Sequence, residues 1–164
     1  CHALYGDDAA HWVGPGTGVE GDALTNKIRV VEESVILHKA VLTDGLEILR
    51  CFGGREMAAI CGAIISARLS RIPVVLDGYV ACTAAAVLHA LDEHALDHCL
   101  VAHVSAEPGH CRLIEKLGKE ALFDFGMRLG EASGAALAIS ILRSAAACHS
   151  GMATFEEAAV SNKD

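Results

Sequence analysis

Aromatic residues make up only 4% of this 164-residue chain. That scarcity speaks against a stacking platform for single-stranded nucleic acid, which needs a row of aromatic faces. Basic residues are few as well: 13 Lys and Arg stand against 21 Asp and Glu, a formal net charge of −8. General binding to nucleic acid or to an anionic membrane needs the opposite sign, so neither is expected, while one local cationic phosphate site stays open. No uncharged apolar run reaches the ~18–20 residues that cross a bilayer. The longest candidate, Gly78 to Leu91, is shorter and carries Thr83 and His89. A signal-peptide pattern is missing too. The seven cysteines are odd in number and contain no C-x-x-C pair, which argues against a disulfide framework. Most sit in apolar stretches, where Cys acts as a small core residue; a reducing cytoplasm is expected.

What is present is apolar and small. Hydrophobic residues reach 52% and charged residues 21%, so the chain is not disordered. Its length suits one domain. The first residue is Cys1, not Met, which reads as a fragment or a processed product.

Ala9 to Val13 reads as a short strand leading into Gly14-Pro15-Gly16-Thr17-Gly18. Asp22 reads as the N-cap of an amphipathic helix with Leu24, Ile28, Val31 and Val35 on one stripe. Asp44 caps a short helix that Gly53-Gly54 interrupts, and Met57 to Ser70 forms the next. Ile72 to Leu76 reads as a buried strand with Pro73 at its start, Tyr79 to Leu91 as a helix, and Cys99 to Val104 as a second strand. A short helix follows over Cys111 to Gly118. A polar turn over Gly126 to Glu131 leads into an Ala-rich helix to about Ala147. Thr154 and Glu157 have capping-box spacing. Continuous apolar strands alternating with helices predict an α/β fold with a parallel sheet covered on both faces. Ligands in such folds bind beyond the carboxyl ends of strands, here Gly14–Gly18, Asp77-Gly78 and Ser105–His110.

Several constellations carry chemistry, each beside a plainer reading. The glycines of 14–18 suit a phosphate cradle with Lys27 as counter-charge, but the run matches neither Walker A nor G-x-G-x-x-G and also reads as a tight turn. Asp77 reads equally as a ligand contact or a cap for the following helix. Ser105 and His110 lack a nucleophile elbow and read as hydrogen-bonding or ligand-positioning groups. His94, His98 and Cys99, with His103, His110 and Cys111 beyond, are zinc-ligand types, yet no C-x-x-C or H-E-x-x-H accompanies them; surface and core histidines are the preferred reading. Glu131 stands where a glycine turn meets a long apolar helix. Walled by apolar groups it would have a raised pKa and suit a general base; as a first-turn Glu it would have a lowered one.

Five motifs then carry a resemblance: Gly14-Pro-Gly-Thr-Gly18 with Lys27, Gly53-Gly-Arg-Glu-Met-Ala-Ala59, Ile72-Pro-Val-Val-Leu-Asp-Gly78, His103-Val-Ser-Ala-Glu-Pro-Gly-His110 and Met127-Arg-Leu-Gly-Glu-Ala-Ser-Gly-Ala-Ala136. In this order they resemble the C-terminal portion of the nicotinate-nucleotide–dimethylbenzimidazole phosphoribosyltransferase family. The resemblance implies a Rossmann-like parallel sheet flanked by helices, lacking the N-terminal part of the family fold. It divides the chain into residues 1–150, the C-terminal portion of the α/β phosphoribosyltransferase domain, and 151–164, a terminal helix and tail. It implies transfer of phosphoribose from nicotinate mononucleotide to 5,6-dimethylbenzimidazole, giving α-ribazole 5′-phosphate and nicotinate in cobalamin lower-ligand assembly. Glu131 is then the catalytic base. Gly16, Thr17, Gly18 and Lys27 bind the phosphate, and Asp77, Gly78 and Ser105 line the nucleotide pocket. A homodimer is implied, and neither metal nor cofactor. Family members carry an N-terminal Gly-Glu-Met-Gly-Ile-Gly-Asn-Thr-Thr-type loop that has no counterpart here, and Pro15 stands where they often have Arg. The second expectation is therefore a catalytically incomplete fragment that keeps the fold, a dimer interface and partial ligand binding.

Overall fold

The protein is described here by a computed structural model covering residues 1–16 and 18–161. The N-terminal part is helical: α1 His2–Tyr5, α2 Gly21–His38, α3 Gly45–Ile48 and α4 Gly54–Leu69. A π-type turn over Leu49–Gly53 joins α3 to α4. Asp44 caps α3 as its position predicts, accepting hydrogen bonds from the Leu46 and Glu47 amides at 2.8 and 3.0 Å. Gly54 closes the π turn with a φ of +76°, a conformation that favours glycine.

The rest alternates strand and helix: β1 Val74–Leu76, α5 Tyr79–Leu91, β2 Cys99–Ser105, α6 Pro108–Lys116, β3 Ala121–Met127 and α7 Ser133–Gly151. The sheet runs β1-β2-β3, all parallel, with Val74 opposite Cys99, Val101 opposite Ala121 and His103 opposite Phe123. Parallel neighbours need long crossovers, and α5 and α6 supply them. An irregularity between His103 and Ser105 lets Ser105 pair with Met127.

The core gathers around α5. Cys82, Ala84, Ala85 and Ala86 are fully buried, and their small side chains let α4 pack close, with the Cys61 thiol donating to the Ala84 carbonyl at 3.2 Å. Leu76, Val101 and Leu113 join from the strands and α6. Each fully buried side chain of that size contributes roughly 1.5–3 kcal/mol. α7 packs on β1 and β2.

Two expected elements are corrected. Ala9–Val13 is not a strand: Ala9–His11 is a 3-10 turn whose first amides are met by Asp8, which accepts from the Ala10 amide. Trp12 is then buried, and its indole N–H donates to the Gly6 carbonyl at 2.7 Å. Asp22 is not the N-cap of α2; Glu20 holds that position, and Asp22 lies in the first turn, where a carboxylate suits the positive end of the helix dipole. One element was unforeseen. β3 is an edge strand with Leu122, Asp124 and Phe125 exposed, so it lacks the continuous apolar run of a buried strand. α6 starts three residues earlier than expected, with Pro108 in its first turn.

Candidate active site

The carboxyl ends of all three strands open onto a cavity of about 790 Å³. Gly16, Lys27, Asp77, Gly78, Ser105 and Glu131 all line it, although they are spread over 116 positions of sequence. Gly18 does not line it, and its amide is used inside the turn, donating to the Pro15 carbonyl at 3.1 Å. Thr17 lies outside the described residues.

The glycine turn is placed by side chains from distant elements. The Lys27 ammonium, on α2, donates to the Gly14 carbonyl at 2.8 Å. The Arg128 guanidinium, beyond β3, donates to the Gly16 carbonyl at 3.3 Å. Two cations therefore flank the turn at the cavity wall. Gly14 is crowded: a Cβ there would displace the Glu107 carboxylate and stand 2.8 Å from Cδ of the Pro108 ring.

Asp77 ends β1 and caps a helix, but not the one that follows it. Its Oδ2 accepts from the Ala132 amide at 3.1 Å and its Oδ1 from the Ala135 amide at 2.8 Å, so it caps α7 across the sheet. Those bonds anchor an unusual backbone. Gly130, Glu131 and Ala132 have φ values of +56°, +54° and +61°. A left-handed conformation costs a non-glycine residue roughly 1–2 kcal/mol, and such strain gathers at functional sites. Glu131 is exposed, so this chain alone does not wall it with apolar groups.

Ser105 is held by a buried histidine. Its amide donates to His110 Nδ1 at 2.9 Å, and its hydroxyl lies 2.9 Å from the same nitrogen. Nδ1 is thus an acceptor, which leaves the proton on Nε2, 3.3 Å from the Cys82 sulfur. Burial, then the neighbouring His103, pushes the His110 pKa down to about 4. Burial pushes the Cys82 thiol up to about 12. Both groups are neutral near pH 7, and His110 acts as a rigid peg for the Ser105 loop.

Sequence reasoning gave no role to Glu107 or Arg128 and considered His103 only among zinc-ligand types; all three also line the cavity. The motif containing His103 was visible, but the histidine carried no signal separating it from a core residue. Of the residues considered for zinc, His103 and His110 are neighbours, with ring centroids 6.2 Å apart, but the other histidines do not join them. His98 hydrogen-bonds the Ile64 carbonyl at 3.0 Å, and His94 is exposed beside Glu93 and Asp97. Among the described residues no cluster of His, Cys, Asp and Glu is arranged to hold a metal ion, and no helix is long and apolar enough to cross a membrane.

Residues 1–160 match a family model described as Phosphoribosyltransferase. The nicotinate-nucleotide–dimethylbenzimidazole phosphoribosyltransferase of Rhizobium rhizogenes is 62% identical over 162 residues, which are 99% of this chain and 48% of that protein. The Rhizobium meliloti protein of the same name is 61% identical over 161 residues, covering 98% of this chain and 48% of its own length. The crystal structure of CobT from Thermus thermophilus superposes with a TM-score of 0.90 at 36% identity, over 99% of this chain and 48% of that one. The chain spans about half the length of the curated relatives it matches.

Proposed function

This chain belongs to the phosphoribosyltransferase family, and on that ground we propose that its cavity binds nicotinate mononucleotide and takes part in phosphoribosyl transfer to 5,6-dimethylbenzimidazole. One observation carries the reading: Lys27 and Glu131, an anion partner and a carboxylate, line one cavity at the carboxyl ends of a parallel sheet. The relatives that share about 60% of its residues bear the name of that activity.

The chemistry follows from the charges. The phosphate is assigned to the glycine turn, where Gly16 lines the cavity and Lys27 supplies positive charge. Asp77, Gly78 and Ser105 line the nucleotide side. The nicotinate of the mononucleotide is a cationic pyridinium, so the bond from C1′ to its nitrogen breaks with both electrons passing to the ring, which leaves neutral at that nitrogen. The ribose carbon gains oxocarbenium character and is attacked by the unprotonated nitrogen of the benzimidazole. The proton on the other benzimidazole nitrogen passes to Glu131 as base, giving α-ribazole 5′-phosphate. The electrophile is charged before it binds, so the step calls for no metal.

The test incubates the chain with both substrates and follows released nicotinate. Release is expected, with Glu131→Gln turning over about 10²–10⁴-fold more slowly while binding the mononucleotide as before. Undiminished turnover in that variant removes Glu131 as the base. Lys27→Ala should weaken mononucleotide binding about tenfold or more, and an unchanged dissociation constant removes Lys27 from the site.

A second reading is favoured by the half-length match: a catalytically incomplete piece that retains the fold, a dimer interface and ligand binding. Calorimetric binding without nicotinate release selects it. The cysteines of the described chain are all free, which supports a cytoplasmic location.

A further inference from the structure

His103 lines the cavity, and the proposed reaction gives it no task. Its side chain is fully buried, and neither ring nitrogen has a hydrogen-bond partner among the described residues. A buried polar group without a partner is costly, so natural proteins rarely leave one. The ring is firmly set. It projects from β2 opposite Phe123 and stacks on that ring at 6.0 Å. Its Nδ1 edge is closed by α7, where a Cβ on Gly134 would stand only 2.0 Å from Nδ1.

The Nε2 edge faces Gly78, which also lines the cavity, and only the bare glycine stands where a side chain would otherwise cover it. A Cβ on Gly78 would stand 3.6 Å from Cε1 and 3.7 Å from Nε2 of His103. Apart from Gly78's own chain neighbours, no other described atom comes within 4 Å of that point. The backbone does not demand glycine here: φ is −147°, extended, and open to any residue. What the glycine supplies is a notch of one missing methyl group beside an unpartnered nitrogen. The occupant is small and neutral, because the Asp77 carboxylate beside the notch repels an anion and the cations lie at the glycine turn. A hydroxyl fits, since it donates to or accepts from either tautomer of the ring.

We propose that Nε2 of His103 hydrogen-bonds a ribose hydroxyl of the ligand across the bare Gly78 notch. His103 is then a binding residue that fixes the sugar while its C1′ substituent changes. The inference deepens, and rests on, the phosphoribosyl reading of this cavity.

The test measures calorimetric binding of ribose 5-phosphate, 2-deoxyribose 5-phosphate and 3-deoxyribose 5-phosphate. The proteins are the chain and its His103→Met, His103→Gln and Gly78→Ala variants. The unmodified chain should bind one of the deoxy sugars about 5–10-fold more weakly than ribose. His103→Met, similar in length but apolar, should bind ribose at the deoxy level and lose the discrimination. His103→Gln, which keeps a polar atom near Nε2, should retain part of it. Gly78→Ala should lose it with the histidine intact. Equal binding of the three sugars, no binding of ribose 5-phosphate, or discrimination that survives in His103→Met overturns the proposal. If His103→Met does not melt cooperatively, Gly78→Ala decides, and discrimination intact there overturns it equally. Product formation is followed separately. Sugar discrimination without α-ribazole phosphate keeps the contact and rejects the reaction; product without discrimination does the reverse.

Discussion

His110 shows how a single residue ties the site to pH. Its pKa lies near 4 in the folded chain against 6.5 when unperturbed, because burial disfavours the imidazolium. Between those values the unfolded chain binds more protons than the folded one. The stability His110 contributes is therefore fully present above pH 6.5 and is lost as pH falls towards 4, at up to about 1.4 kcal/mol per pH unit. Thermal melts at pH 7, 6 and 5 should show a falling Tm, with His110→Gln flattening that slope. A slope unchanged in the variant removes His110 as the cause. None of this was legible in the sequence, where Ser105 and His110 read only as polar partners in one loop. The spacing was right, but the burial that sets the pKa comes from α5, through Cys82 at 3.3 Å.

At the scale of elements, the contact that matters joins the end of β1 to the start of α7. Asp77 receives two amide hydrogen bonds there and holds the left-handed run at 130–132. Asp77→Ala should cost about 1–3 kcal/mol of stability and weaken mononucleotide binding, since Asp77 itself lines the proposed nucleotide side of the cavity. Denaturant midpoints with the binding constant check both, and a variant as stable as the parent rejects the anchoring role. Periodicity found α5 to the residue, because thirteen nearly all-apolar residues end at polar Asp92. It also found β1 and β2, which are buried enough to read as continuous apolar runs. It missed β3, where solvent on the edge allows Asp124 and Gly126 into the strand. It mistook Ala9–His11, since three or four apolar residues do not distinguish a strand from a helical turn. Asp77 was legible as a cap, but which helix it caps depends on the sheet, and no local pattern encodes that.

Across the whole molecule, apolar surface is left uncovered. α2 has no buried residue although it runs for 18 residues, and Leu37 on it is 79% exposed. Phe125 on β3 is 72% exposed, and Leu137 and Ile141 on α7 also face outward. Isolated exposed apolar residues are ordinary, but clusters on several elements mark interfaces. Sedimentation of the chain at micromolar concentration should give a dimer, the state that the family resemblance implies. A monomer that binds a hydrophobic dye strongly would instead assign those faces to sequence that the twice-longer relatives carry. Gly16, Lys27, Asp77, Gly78, Ser105 and Glu131 were legible from four of the five motifs, which border one cavity, whereas no residue of 53–59 lines it. The exposed faces were not, since composition counts apolar residues without saying which are covered.

The bond from Asp77 to α7 also sets a timetable. Ala132 and Ala135 follow Asp77 by 55 and 58 positions. At a synthesis rate of about 5–20 residues per second, roughly 3–12 s pass between the making of the two partners. Throughout that interval the glycine turn, Lys27 and β1 exist without the segment that carries Glu131. The pocket is therefore completed only once that later segment has been made, and the residues proposed for the phosphate precede the proposed base by seconds.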